Sequence, residues 1–135
     1  MYVPIKKVCF IGAGTMGCFN SLLASAAGYE CVIYDPCEES LKNRASNQAK
    51  LADFLNHDNF FKGVDVNAAI KKIYDCSDLK FALDGVDLVS ESIPENLELK
   101  KQLFQELEGL VRKKTIITTN TSGLSLEVLS NQFSP

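Results

Sequence analysis

The sequence has no excess of positive charge: 14 Lys and Arg stand against 17 Asp and Glu, a formal net charge of -3. DNA or RNA would meet no broad attractive field, so no nucleic-acid partner is expected. No apolar stretch approaches the length that crosses a bilayer, so no membrane contact is expected. Met1 to Phe10 carries two lysines ahead of a short apolar run, but that run breaks into Gly-Ala-Gly and lacks the form of a signal peptide. The expected setting is cytoplasmic or an organelle matrix such as the mitochondrial one. Cys9, Cys18, Cys31, Cys37 and Cys76 contain no Cys-x-x-Cys pair, so no metal or dithiol chemistry is indicated. Small buried thiols are the expectation, with Cys37 near a helix start where a thiolate is favoured. The single histidine, His57, stands in a His-Asp-Asn stretch that reads as a surface turn.

What is present suits an ordinary globular protein, with 46% hydrophobic and 23% charged residues over a length that fits one domain spanning 1–135. Lys7–Ile11 is a short apolar run of the kind that fills a strand buried on both faces. A helix is expected from Thr15 to Ala27, stopped by Gly28. A second strand over Cys31–Tyr34 leads into a helix from Cys37 to about Asn56. Further along, a helix around Asn67–Lys72 and a strand near Ile73–Cys76 are expected. Then come a strand over Val86–Ser90, a helix over Pro94–Val111, a strand over Thr115–Thr119, a polar turn over Asn120–Gly123 and a helix over Leu124–Leu129. This alternation predicts an α/β fold of the doubly wound Rossmann type, a mostly parallel sheet with helices on both faces. Ligands of such sheets bind beyond the carboxyl ends of the strands.

Gly12-Ala13-Gly14-Thr15-Met16-Gly17 fits G-x-G-x-x-G directly after a strand and at the opening of a helix. Gly12 permits the tight turn, Gly14 lets backbone approach a pyrophosphate, and Gly17 lets helix and strand pack closely. Helix N–H groups then face the phosphates. Asp35 ends the second strand about twenty residues on, where a carboxylate accepts from an adenosine ribose and repels a 2′-phosphate. NAD is therefore expected over NADP. Asp35 also has capping-box spacing with Glu38, and Ser92 has it with Glu95. Ribose binding is preferred for Asp35, while for Glu95 the structural and functional readings are balanced. By local chemistry Asn120-Thr121-Ser122 is turn and N-cap material.

The glycine turn, Asp35, Glu91-Ser-Ile-Pro-Glu-Asn-Leu-Glu-Leu-Lys100 and Thr119-Asn-Thr-Ser-Gly-Leu-Ser125 occur in an order that resembles the amino-terminal domain of 3-hydroxyacyl-CoA dehydrogenases. The related lambda-crystallin and gulonate dehydrogenase type shares the Pro-Glu-Asn-Leu-Glu-Leu-Lys form. The resemblance implies that Glu95 and Lys100 lie near the nicotinamide-ribose end of NAD. It implies that Ser122 hydrogen-bonds the substrate's 3-oxygen or the nicotinamide side, and that Asn120 shapes that turn; these two are the catalytic candidates. It implies an acyl-CoA substrate. Thr119 and Gly123 depart from the family's usual Ser-Asn-Thr-Ser-Ser. The family's catalytic histidine belongs to a His-Phe-Phe-Asn-Pro segment absent from these 135 residues, and His57 does not match it. The expectation is that a carboxyl-terminal helical domain, or a separate chain, supplies that group and that these residues alone do not turn over. Self-association into a homo-oligomer stays open. The alternatives are a non-catalytic dinucleotide-binding or crystallin-like module and a gulonate-type dehydrogenase half.

Overall fold

The computed structural model describes residues 4–133. Met1, Tyr2 and Val3 of the segment weighed above as a leader, and Ser134 and Pro135 at the other end, lie outside the described residues. The elements run β1 (Lys7–Ile11), α1 (Thr15–Ala26), β2 (Glu30–Tyr34), α2 (Glu38–Asn56), α3 (Val66–Lys72), β3 (Tyr74–Cys76), α4 (Leu79–Ala82), β4 (Leu88–Glu91), α5 (Leu97–Leu110), β5 (Ile116–Thr119) and α6 (Leu126–Ser130). All strand pairs are parallel in the order β3-β2-β1-β4-β5. The expected doubly wound Rossmann-type sheet is thus observed, and its strand order reverses between β1 and β4. The crevice for a ligand lies beyond the strand ends at that reversal.

The central strand explains how helices cover both faces. Cys9 and Ile11 of β1 point into a cluster with Leu103, Phe104 and Leu107 of α5, whereas Val8 and Phe10 pack with Ile33, Ile73 and Ala24 on the opposite side. This two-residue period, apolar on both faces, is why Lys7–Ile11 reads as a continuous hydrophobic run. Leu107 is fully buried, and truncating such a side chain typically costs about 2–5 kcal/mol. α1 ends where expected, with Gly28 at φ +98°, a backbone region that favours glycine.

The loop between α2 and β3 is fastened by a buried cation. Arg44 of α2 donates to both carboxylate oxygens of Asp75 at 2.6 and 3.0 Å, to the carbonyls of Ile70 and Ile73, and to Gln48. Gln48 in turn donates to the Cys18 carbonyl and the Ser21 hydroxyl of α1. These bonds set α2 and α3 against α1 and keep the second strand-helix unit in register with the first.

Three expected helix starts move. The Asp35–Glu38 capping box does not form, because the helix begins at Glu38 with Cys37 as its N-cap. The Asp35 carboxylate is instead committed to two backbone N–H groups, a local turn that competes with capping. The Ser92–Glu95 box does not form either: α5 begins at Leu97, capped by the Asn96 side chain accepting from Leu99 N at 3.1 Å. In a box starting at Ser92, Ile93 would have to be helical immediately before Pro94, which the proline ring disfavours. The last helix is capped by Ser125, not by the Asn120–Ser122 turn. The short α4, capped by Asp78, was not anticipated.

Candidate functional site

The glycine turn is shaped by contacts that leave no room for side chains at two positions and open space at the third. Gly12 has φ +104°, and a Cβ there would lie 2.9 Å from the Ser92 carbonyl oxygen. A Cβ on Gly17 would lie 1.7 Å from the Gly12 carbonyl oxygen, so helix and turn touch backbone to backbone. A Cβ on Gly14 would meet nothing within 4 Å. Gly14 is also the N-cap of α1, with no side-chain cap and no acidic residue in the first turn. The N–H groups of Thr15, Met16 and Gly17 open this helix, where an anion is attracted by both hydrogen bonding and the helix dipole. An uncapped, open helix start is the chemistry a pyrophosphate requires, and these residues fit one.

Asp35 stands directly across the turn. Its Oδ2 accepts from Ala13 N at 2.9 Å and its Oδ1 from Cys37 N at 2.8 Å. One carboxylate thus joins the glycine turn to the start of α2 at the end of β2. Gly12, Gly14, Asp35, Ser92 and Pro94 share one cleft of about 720 Å³, with Leu79, Leu103 and Tyr34 supplying apolar wall. An apolar wall beside a carboxylate is the kind of surface that could take an adenine ring and its ribose.

The loop after β4 lines the cleft through Ser92, Ile93 and Pro94, and the loop after β5 is bonded to it. Asn120 N donates to the Glu91 carbonyl at 2.9 Å, and Asn120 Nδ2 donates to Ser92 Oγ at 2.5 Å. Glu95 Oε1 accepts from the Thr121 hydroxyl at 2.5 Å, and Glu95 Oε2 accepts from Ser122 N at 3.1 Å. These bonds, led by the Thr121 hydroxyl and helped by Lys100, hold the exposed Glu95 carboxyl down at about 2. Ser122 and Asn120 are exposed. Lys100 is not: it is 2% exposed, with Nζ 3.1 Å from Glu91 and 3.2 Å from Glu95. The structure therefore brings Glu95, Lys100, Asn120 and Ser122 together, with Lys100 behind Glu95 instead of at the surface. Glu91 was read only as part of a motif. A glutamate closing an apolar strand was the available signal.

His57 is exposed just past the carboxyl end of α2. Nineteen residues of helix separate it from the Asp35 end, a rise of about 28 Å. Cys9, Cys18 and Cys31 are buried as expected, and Cys37 is exposed. No helix of the described residues is long and apolar enough to cross a membrane.

A five-stranded parallel sheet with an uncapped glycine turn at its strand reversal and a carboxylate at the end of β2 defines the class of dinucleotide-binding α/β domains. Within that class, the chain belongs to the family described as "3-hydroxyacyl-CoA dehydrogenase, NAD binding domain", whose model matches residues 7–135. Its cofactor is NAD. It is 31% identical over 134 residues to "Hydroxyacyl-coenzyme A dehydrogenase, mitochondrial" from Homo sapiens, covering 96% of this chain and 43% of that protein. It is 28% identical over 118 residues to the Homo sapiens "Lambda-crystallin homolog", covering 87% of this chain and 37% of that protein. The structure of 3-hydroxybutyryl-CoA dehydrogenase from Escherichia coli superposes with a TM-score of 0.86 at 27% identity, covering 98% of this chain and 28% of that one. The chain spans less than half the length of these relatives.

Proposed function

We propose that the chain is the cofactor-holding part of an NAD-dependent dehydrogenase that interconverts 3-hydroxyacyl-CoA and 3-ketoacyl-CoA. The observation that carries this reading is the cleft that joins the open Gly14 and Asp35 to Ser92, Ile93 and Pro94 of the loop after β4, the loop to which Asn120 and Thr121 are bonded. The Gly12–Gly17 turn, with Ala13, Thr15 and Met16 supplying backbone, holds the pyrophosphate. Asp35 accepts from the adenosine ribose. Glu95, with Lys100 behind it, faces the nicotinamide ribose, and the Ser122 hydroxyl donates to the substrate's 3-oxygen. Asn120 holds the Ser122 turn against Ser92. NAD supplies the hydride acceptor for the carbinol carbon. The hydroxyl proton needs a base, and His57, the one histidine of these 135 residues, sits at the wrong end of α2 to be it. A further domain or chain would bring the base and close the acyl-CoA site, as the greater length of the relatives supports.

Titration of the chain with NADH and NADPH, followed by nicotinamide fluorescence, tests the reading. NADH is expected to bind at least roughly tenfold tighter, because a 2′-phosphate would be set beside the Asp35 carboxylate. Asp35→Asn is expected to narrow that gap. Equal affinities in the unaltered chain would remove Asp35 from the ribose site. NADH production from 3-hydroxybutyryl-CoA by these 135 residues alone is expected to be absent, and robust turnover would overturn the catalytic part of the reading.

A further inference from the structure

Glu91 closes β4 with none of its surface exposed, and a carboxylate so placed must have partners for both oxygens. Its Oε1 accepts from Ile93 N at 2.7 Å and lies 3.1 Å from Lys100 Nζ. Its Oε2 accepts from the Thr119 hydroxyl at the end of β5. On the far side of Lys100 is Glu95 Oε1 at 3.2 Å, and Glu95 in turn grips the Thr121 hydroxyl and Ser122 N. An unbroken series of ion pairs and hydrogen bonds therefore runs from the sheet interior to the exposed Ser122 turn.

Stability alone is a weak reason for such a series, because a buried ion pair is often matched or bettered by apolar side chains of the same volume. What apolar residues could not do is orient a carboxylate at the surface. Glu95 is exposed and long, and left to itself it would sample several rotamers. Thr121, Ser122 N and Lys100 together remove that freedom, Lys100 only if its own ammonium is fixed, and Glu91 is the group that fixes it. We infer that Glu91 is a positioning residue for the nicotinamide side of the cleft: it anchors Lys100, Lys100 anchors Glu95, and Glu95 holds the Ser122 turn. The inference rests on the proposed placement of the nicotinamide ribose beside Glu95.

Two ligands separate the two halves of the cleft: NADH, and ADP, which has the adenosine and diphosphate but no nicotinamide ribose. Glu91→Gln is expected to weaken NADH roughly tenfold, about the factor one charge-assisted hydrogen bond carries. ADP affinity is expected to stay within about twofold, a split that general loosening of the fold would not give. Glu95→Gln is expected to show the same split. Because Glu91 acts through Lys100, the pair Glu91→Gln with Lys100→Met is expected to lose no more NADH affinity than Lys100→Met alone. That pair leaves no buried charge unpaired, so it carries the test if Glu91→Gln does not fold. Loss of NADH binding in Glu95→Gln with unchanged NADH binding in Glu91→Gln, or in the pair, would overturn the inference and leave the cofactor placement standing. Unchanged NADH binding in Glu95→Gln, or equal loss of ADP, would remove the nicotinamide ribose from Glu95 and the inference with it.

Discussion

A Cβ on Gly17 would sit 1.7 Å from the carbonyl oxygen of Gly12, while one on Gly14 would meet nothing within 4 Å. The fold thus requires the first of these glycines, while nothing in the fold requires the second, which under the proposed function leaves room for the pyrophosphate. Gly14→Val is expected to fold, at a cost of about 1 kcal/mol for losing a tolerated N-cap residue, and to lose NADH binding. Gly17→Val is expected to be unfolded or strongly destabilised, since a backbone carbonyl cannot move aside as a side-chain tip can. Thermal melts beside NADH titrations check this. A Gly14→Val chain that still binds NADH would refute the assigned phosphate site.

Acid sensitivity follows from two carboxylates held low in the folded chain. Glu95 falls from the ordinary 4.5 to about 2, chiefly through the Thr121 hydroxyl and the Ser122 N–H. Asp87 falls from 3.8 to about 2, chiefly through the N–H groups of Lys6 and Lys7, with Arg112 adding to them. A depressed folded pKa gives stabilisation that is complete above the unfolded value and is lost as pH falls through the folded one. Their contribution is expected to be constant above about pH 5 and to disappear on the way to about pH 2. Melting temperatures across that window should drop less in Glu95→Gln and Asp87→Asn than in the unaltered chain. Parallel curves would count against these assignments.

Cysteine reactivity gives an independent reading of burial. The Cys37 thiol is exposed and lowered from its ordinary value, first by the Ser40 hydroxyl and then by backbone N–H groups at the start of α2. Burial pushes Cys9 up to about 12 and Cys31 up to about 11, and raises Cys18 as well. Iodoacetamide at neutral pH is expected to alkylate Cys37 well before those three, as read by peptide mass mapping. Labelling of Cys18 as fast as Cys37 would mean that α1 and α2 part far more readily than the bonds of Gln48 imply.

Much of the sheet was legible in the residues because each strand is bounded by a chemical break. Lys7–Ile11 is followed at once by a glycine that must turn, and Thr15–Ala26 ends two residues before a glycine at φ +98°. The helix starts at Asp35 and Ser92 misled for a physical reason. Capping-box spacing is a local pattern, and in both places a distant partner claims the side chain: Ala13 N takes Asp35, and Thr121 with Ser122 takes Glu95.

Glu91 and Lys100 stand nine positions apart on a strand and a helix, so no periodicity links them. Only the parallel pairing of β4 with β5, which sets Thr119 against Glu91, makes that strand end polar inside and gives the lysine a reason to be buried. The glycine turn, Asp35 and the Glu95 to Ser122 stretch were visible as residue types. How they bond to one another was not, because it depends on the strand ends that bring them together.

β1 pairs with β2 on one flank and with β4 on the other. The walls of the cleft consequently descend from strands on opposite flanks of β1. Asp35 is bonded to Ala13 and Cys37, whereas the Ser122 turn is bonded to Glu95, so the two share no partner. Effects of changes at sites so separated normally add. A descendant of this sequence can therefore trade one cofactor for another, or one substrate for another, by small independent steps without rebuilding the scaffold beneath them.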